Sequence, residues 1–252
     1  PIPKPSASTA ESVLLVDRSL DKKSVVYVGN QGKTLFARNG GTQKALTPDS
    51  FRNPTLFSMS PNQDVAIFRN PNDELFLYDF KRYNLVEQEQ FLYGRDIGSI
   101  GWVYPDGSQL LYSYAPASGE QSLIIADRTN KNLERVLNLK DAGITDPTIA
   151  VAPDGKMAIL VSRPGDDFAS YNIYLFDLFT KRARQLTTDG DKVDARFSPS
   201  GTHVVYTRFE ADPDGINNQL LSVMDPDGKN RKDFNLRANL DQIAFLDDSR
   251  LV

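Results

Sequence analysis

The chain contains no cysteine, which excludes disulfides, thiolate nucleophiles and cysteine-ligated zinc. It contains one histidine, His203. Triad hydrolysis needs a general base that is usually histidine, and a histidine-rich metal site needs several, so both are excluded for this chain by itself. No Gly-x-Ser-x-Gly elbow is present. No apolar run approaches the roughly 20 residues that span a bilayer as a helix. A basic excess is missing too: 29 Lys+Arg stand against 33 Asp+Glu, a formal net charge of −4 with a pI near 5.1. Non-specific nucleic-acid binding depends on displacing counterions with a basic surface, so no nucleic acid is expected as a partner. No signal peptide is read in the opening residues. The chain opens on Pro1 rather than Met, which reads as processing or trimming.

What is present is ordinary in balance, with 40% hydrophobic and 25% charged residues over 252 positions, enough to bury a sizeable core. Its organisation is repetitive. An apolar-x-apolar segment runs into Ser-Pro or a variant, then a turn, then a second apolar run. The copies are Phe57-Ser58-Met59-Ser60-Pro61, Gly101-Trp102-Val103-Tyr104-Pro105, Ile149-Ala150-Val151-Ala152-Pro153 and Ala195-Arg196-Phe197-Ser198-Pro199. Ile243-Ala244-Phe245-Leu246-Asp247 has lost the proline, and the segment around Asp21 is a degenerate first copy. The turn positions 21, 61, 105, 153, 199 and 247 recur at 40, 44, 48, 46 and 48 residues. A second marker keeps step: apolar strands end at Asn39, Asp79, Asp127, Asp177 and Asp225.

Period-two alternation with β-branched and aromatic residues argues for strands. Pro-Asp-Gly and Pro-Ser-Gly pre-set tight turns, because proline fixes φ and glycine accepts a positive φ. Each unit reads as four strands; in the fourth they fall near 146–152, 156–162, 171–177 and 182–187. Four strands per 40–50 residues is the pattern of a propeller blade. The expectation is an all-β chain, a β-propeller of four-stranded antiparallel blades, about six in number with the last incomplete. Residues 1–11 carry three prolines in the first five positions and read as a flexible tail or linker; residues 12–252 form the propeller domain. A propeller must close or leave costly edges, so a continuation past Val252 is expected.

The best-formed copy is Leu186-Thr187-Thr188-Asp189-Gly190, then Ala195-Arg196-Phe197-Ser198-Pro199-Ser200-Gly201 and Val204-Val205-Tyr206. It resembles the TolB-like, WD40-like repeat. In that family a strand ending in Leu-Thr closes one blade and Phe-Ser-Pro opens the next. Leu46-Thr47 before Phe57 repeats the arrangement, and the resemblance runs through residues 12–252. Only the third and fourth repeats keep Pro-Asp-Gly at the turn, at 105–107 and 153–155. The repeat occurs in periplasmic scaffolds, in the propellers of prolyl-oligopeptidase-like peptidases and in some lyases. What it implies is a scaffold, periplasmic or extracellular, that binds a protein or peptide, with an envelope complex as one setting. The alternatives are a gating propeller of a larger hydrolase, or a carbohydrate-active enzyme with carboxylates in the channel.

No catalytic residue and no cofactor are assigned. The binding candidates come from propeller geometry: residues leading into the innermost strand of each blade rim one mouth of the channel. These are Arg52, Arg95, Asp96, Asp146, Asp191, Asp194 and Asp241, with Asn53, Thr145 and Asn239 beside them. Two acidic loops, around Asp212 and Asp214 and around Asp225 and Asp227, place oxygen ligands at alternate positions as calcium loops do. Asp-Gly after proline is first of all a tight turn, and that reading is preferred. His203 reads as an exposed strand-start residue, and Trp102 as a core residue of an innermost strand.

Overall fold

A computed structural model describes the strands of residues 16–85, with 53, 60–61 and 70–74 between them, and residues 96–251 apart from 104, 164–170, 212–216, 241–244 and 249. Arg52, Arg95, Asp212, Asp214, Asp241 and the tail 1–11 lie outside the described residues. The chain divides into two compact units, 1–95 and 96–252. Among the described residues no α-helix occurs.

The first unit holds two antiparallel sheets. One is β1 (Val16–Arg18), β2 (Ser24–Gly29), β3 (Thr34–Asn39) and β4 (Thr42–Ala45); the other is β5 (Thr55–Met59), β6 (Val65–Arg69), β7 (Leu75–Asp79) and β8 (Asn84–Leu85). Strands follow one another in chain order across each sheet. In β6, Val65, Ala66, Ile67 and Phe68 are all buried. The β6–β7 turn is tied by Asn70, whose Oδ1 accepts from the N–H groups of Asn72 (3.0 Å) and Glu74 (2.9 Å).

The second unit repeats the plan three times. Its sheets are β9 (Ile97–Val103), β10 (Gln109–Tyr114), β11 (Ser122–Asp127) and β12 (Glu134–Asn138); then β13 (Thr148–Val151), β14 (Met157–Ser162), β15 (Asn172–Asp177) and β16 (Arg182–Gln185); then β17 (Lys192–Phe197), β18 (Val204–Ala211), β19 (Asn217–Met224) and β20 (Lys232–Arg237). A two-stranded sheet of β21 (Phe245–Asp247) and β22 (Arg250–Leu251) follows. The expected all-β architecture of four-stranded antiparallel blades is what the structure has.

The repeat motifs have local physical causes. In the Ser-Pro turn the serine closes a ring. Ser60 N–H donates to Val65 O at 2.9 Å while its Oγ accepts from Val65 N–H at 2.9 Å. Ser198 does the same with His203, at 2.9 and 3.1 Å. Where alanine replaces the serine, Ala152 keeps only the backbone bond to Met157. The second marker starts the hairpin between third and fourth strands. Asp127 Oδ1 accepts from Thr129 and Lys131 N–H, and Asp177 Oδ1 from Phe179 and Thr180 N–H. The bond from Thr180 N–H holds the Asp177 carboxyl below its usual range. The Leu-Thr motif closes a blade: Leu186 N–H donates to Ile173 O, and Thr187 Oγ1 accepts from Ile173 N–H.

The second strands are the apolar runs that the repeat leads one to expect. Met157-Ala158-Ile159-Leu160-Val161 is apolar throughout because both of its faces are covered. Ala158 and Leu160 pack with Leu111, Leu123 and Ile125 of the preceding sheet, and with Phe176. Ile159 and Val161 pack with Phe197, Val204, Tyr206 and Met224, all from the next sheet. Stacking sheets face to face is what hides both sides. The first strands also meet. Ser99 Oγ accepts from Ile149 N–H at 3.1 Å, and a β-carbon on Gly101 would lie 2.7 Å from Val151 Cγ2. Only glycine lets β9 approach β13 this closely.

Candidate functional site

Antiparallel order puts the residue leading into each first strand at one end of the sheets, and the turns after the first and third strands at the other. At the lead-in end the second unit repeats one feature. Asp96, Asp146 and Asp191 each immediately precede, or nearly precede, a first strand, and each has a positive φ, of 82°, 39° and 62°. Asn53, leading to β5 in the first unit, has φ 51°. This left-handed region penalises most side chains and is several-fold enriched in Asp and Asn. It turns the chain sharply into the strand.

Backbone hydrogen bonds fasten the lead-ins to the second strands. Ala115 N–H donates to Asp96 O at 2.8 Å, Arg163 N–H to Thr145 O at 2.9 Å and Phe209 N–H to Asp191 O at 2.9 Å. Register shifts follow at Tyr112/Tyr114 and Lys192/Asp194, and bulges of this kind re-aim side chains at sheet ends. The Asp146 carboxylate leans over Gly98 of the neighbouring sheet, whose added β-carbon would lie 3.0 Å from its Oδ1. Asp146 is exposed, while Asp96, Asp191 and Asp194 are half-buried. The second unit thus presents three acidic lead-ins on fixed backbone.

Sequence reading missed a buried cation beside the third of them, Asp191. The Lys192 side chain is completely buried. Its Nζ lies 3.0 Å from Asp189 Oδ1 and also contacts Asp191 Oδ1 and the carbonyl of Gly190. Arg231 reaches in from the turn before β20, 2.6 Å from Asp189 Oδ2 and 3.1 Å from Asp233 Oδ1, with its guanidinium over the Tyr206 ring. Partial burial pushes the Asp189 carboxyl up, but hydrogen bonds from Arg231 and Lys192 outweigh it and hold it at about 2. Burial drives the Tyr206 hydroxyl up to about 12. Nothing local to Asp189-Gly190-Asp191 says that the lysine after it points inward.

Asp194 serves its own strand: Oδ1 accepts from Ala195 N–H at 2.8 Å, and Oδ2 lies 3.6 Å from Arg196. At the opposite end, Asp225 and Asp227 are engaged within their turn. Asp225 Oδ2 accepts from Asn230 Nδ2, and Asp227 pairs with Lys229 Nζ at 2.8 Å, which lowers its carboxyl. This is the tight-turn use of the motif. The structure also brings together residues that the sequence kept apart. Met157, Leu175, Thr202, His203, Asp225, Pro226 and Asp227 line one open groove of about 550 Å³. His203 is half-buried there, its Nδ1 3.0 Å from Thr202 Oγ1. Trp102 is buried, 5% exposed, in β9. Among the described residues no three His, Asp or Glu side chains gather as a metal site would require.

No protein-family model matches the chain, and no curated protein matches it in sequence. Solved structures do match in fold. TolB from Acinetobacter baumannii is 22% identical with a TM-score of 0.55, over 91% of this chain and 56% of that one. An oligogalacturonate lyase in complex with manganese is 15% identical with a TM-score of 0.59, over 86% of this chain and 63% of that one. A structure from a study of two prolyl endopeptidases is 16% identical with a TM-score of 0.65, over 90% of this chain and 37% of that one. The chain therefore spans little more than half the length of the A. baumannii TolB. The likeness is one of architecture: the chain shares the β-propeller fold of TolB, of the lyase and of the endopeptidase.

Proposed function

We propose that the chain is a non-enzymatic interaction scaffold that grips a cationic polypeptide segment at the lead-in end of residues 96–252. The observation that carries this reading is the repeated left-handed aspartate. Asp96 and Asp146 form no ion pair among the described residues, and their backbone is fixed by the same inter-strand bond or its neighbour. Acid groups held in place on rigid turns attract cations without an ordering cost at binding. The fold likeness to TolB supports the scaffold reading, and with it a periplasmic or extracellular site of action. The match to 37% of an endopeptidase supports a second reading, a gating propeller of a larger hydrolase; a downstream α/β domain with a nucleophile elbow in the full-length gene would favour it.

The test is a titration of the chain with a fluorescent Lys/Arg-rich peptide, using Asp96→Asn and Asp146→Asn together as the variant. Asparagine keeps the left-handed backbone and removes only the charge. Binding by the unaltered chain should weaken as salt rises, and the double variant should bind about tenfold more weakly or worse. Equal affinity of the two proteins for the peptide would sink the proposal.

A further inference from the structure

The opposite end of the same unit carries a surface of a different chemistry. Phe179 is 92% exposed and Leu133 57% exposed. Among the described residues they are two of four large apolar side chains that stand in solvent, and both sit on turns between third and fourth strands, in adjacent sheets. The two turns are joined: Lys181 Nζ lies 3.8 Å from Glu134 Oε2. Each turn is stiffened by its aspartate, as described above, and by left-handed residues at Asn130, Asn132 and Lys181.

Charge at these turns runs against the chain's acidic balance. Segments 127–135 and 177–184 contain six basic residues, Arg128, Lys131, Arg135, Lys181, Arg182 and Arg184, and three acidic ones. The carboxylates of Asp127 and Asp177 are bent onto backbone N–H groups of their own turns. Glu134 pairs with Lys181. Arg135 reaches Glu120 at 3.6 Å, with both side chains more than half exposed. On the inner turns at this end, Asp106 lies near Arg128 and Asp154 pairs with Lys156 at 3.7 Å. What faces outward is an aromatic and an aliphatic tip in a cationic setting.

We infer that the Phe179 and Leu133 turns are a docking surface for an anionic lipid bilayer, with the two apolar tips inserting between headgroups and the surrounding Lys and Arg side chains contacting lipid phosphates. Apolar tips ringed by basic residues are the combination that interfacial binding uses, one part burying area and the other drawn by surface potential. The shape favours a bilayer over an acidic protein. Phe179 projects from a turn almost fully clear of its neighbours, so a protein partner would have to supply a matching pocket, whereas headgroups deform around a protrusion. This surface is distinct from the acidic lead-ins, which lie at the other end of the strands.

The experiment is co-sedimentation of the full 252-residue chain with vesicles of phosphatidylcholine, alone or mixed with phosphatidylglycerol. Two variants are compared, Phe179→Ser and the pair Lys131→Glu with Arg182→Glu. The chain should pellet with the mixed vesicles and remain in solution with phosphatidylcholine alone, and its binding should fall several-fold as salt is raised. Phe179→Ser should reduce binding several-fold, and the charge-reversal pair should abolish it. Thermal melts check that both variants remain folded. Phe179→Trp gives a second readout: its emission should shift to the blue on mixed vesicles only, against the constant signal of buried Trp102. The inference is overturned by absence of binding to the mixed vesicles, by equal binding to both vesicle types, or by variants that bind like the unaltered chain. Capture by poly-glutamate without vesicle binding would overturn it in favour of an acidic protein.

Discussion

Aspartate is used in opposite ways at the two ends of the strands in residues 96–252. At the turn end, Asp127 and Asp177 fold their carboxylates onto N–H groups two to four residues ahead. At the lead-in end, Asp96 and Asp146 hold a left-handed backbone and leave their carboxylates unpaired among the described residues. The residue type and formal charge are the same. The difference is whether backbone donors lie within reach of the side chain. Where they do, aspartate is a structural fastener whose charge is spent locally; where they do not, its carboxylate stays without an ion pair among the described residues. Lys192 shows a third arrangement, a buried cation gathering the carboxylates of Asp189 and Asp191 into the fold.

The largest expected effect comes from breaking that third arrangement. Lys192→Met keeps the stem volume and removes the cation, leaving Asp189 and Asp191 crowded beside a carbonyl. A loss of about 2–3 kcal/mol is expected in denaturant melts at neutral pH, below the full value for a buried pair because both carboxylates are partly exposed. The acid limb gives the complementary sign. Asp189 has a folded value of about 2, below its unfolded one, so its contribution is complete above roughly pH 4 and disappears as pH falls toward 2. The Asp189→Asn variant should therefore lose less stability than the unaltered chain across that window. A parallel acid response of the two proteins would show that the Arg231–Asp189–Lys192 cluster adds nothing.

A smaller effect separates the two uses of aspartate directly. Asp177→Gly removes the acceptor for two turn N–H groups, and a cost of about 1–2 kcal/mol is expected. Asp146→Gly relieves a left-handed residue, and it should be neutral or raise the melting temperature slightly. If both substitutions destabilise equally, the contrast between fastener and lead-in fails. The smallest effect is expected at Gly119, in the hairpin loop between β10 and β11. A short Gly-Ser insertion there should change stability by no more than about 0.5 kcal/mol, since loops of this kind tolerate insertion. Collapse of the fold would contradict the hairpin pairing of Tyr114 with Ser122.

Much of the architecture was legible because its causes are local. The strands expected near 146–152, 156–162, 171–177 and 182–187 are found at 148–151, 157–162, 172–177 and 182–185. Ser-Pro, Asp-Gly and Leu-Thr act through hydrogen bonds spanning a few residues or one hairpin, so their spacing reports the blade directly. The site was less legible. Asp96, Asp146 and Asp191 were picked out as mouth residues, but their shared backbone conformation follows from the bend into each strand, which composition does not reveal. Nothing in the sequence singles out Lys192, because a side chain's direction at a bulge depends on the register with β18. The groove of His203, Asp225 and Asp227 was invisible because its apolar walls, Met157 and Leu175, come from a different sheet.

The amino-acid sequence by itself determined the repeat, the strands and the turns, because each rests on preferences and hydrogen bonds within some twenty residues. Tertiary structure alone decided which faces became core, which aspartates kept a free charge, and where a lysine could be buried. Those outcomes depend on how one sheet stacks on the next. Contacts such as Ser99 with Ile149, fifty residues apart, are set by that stacking and by no local pattern.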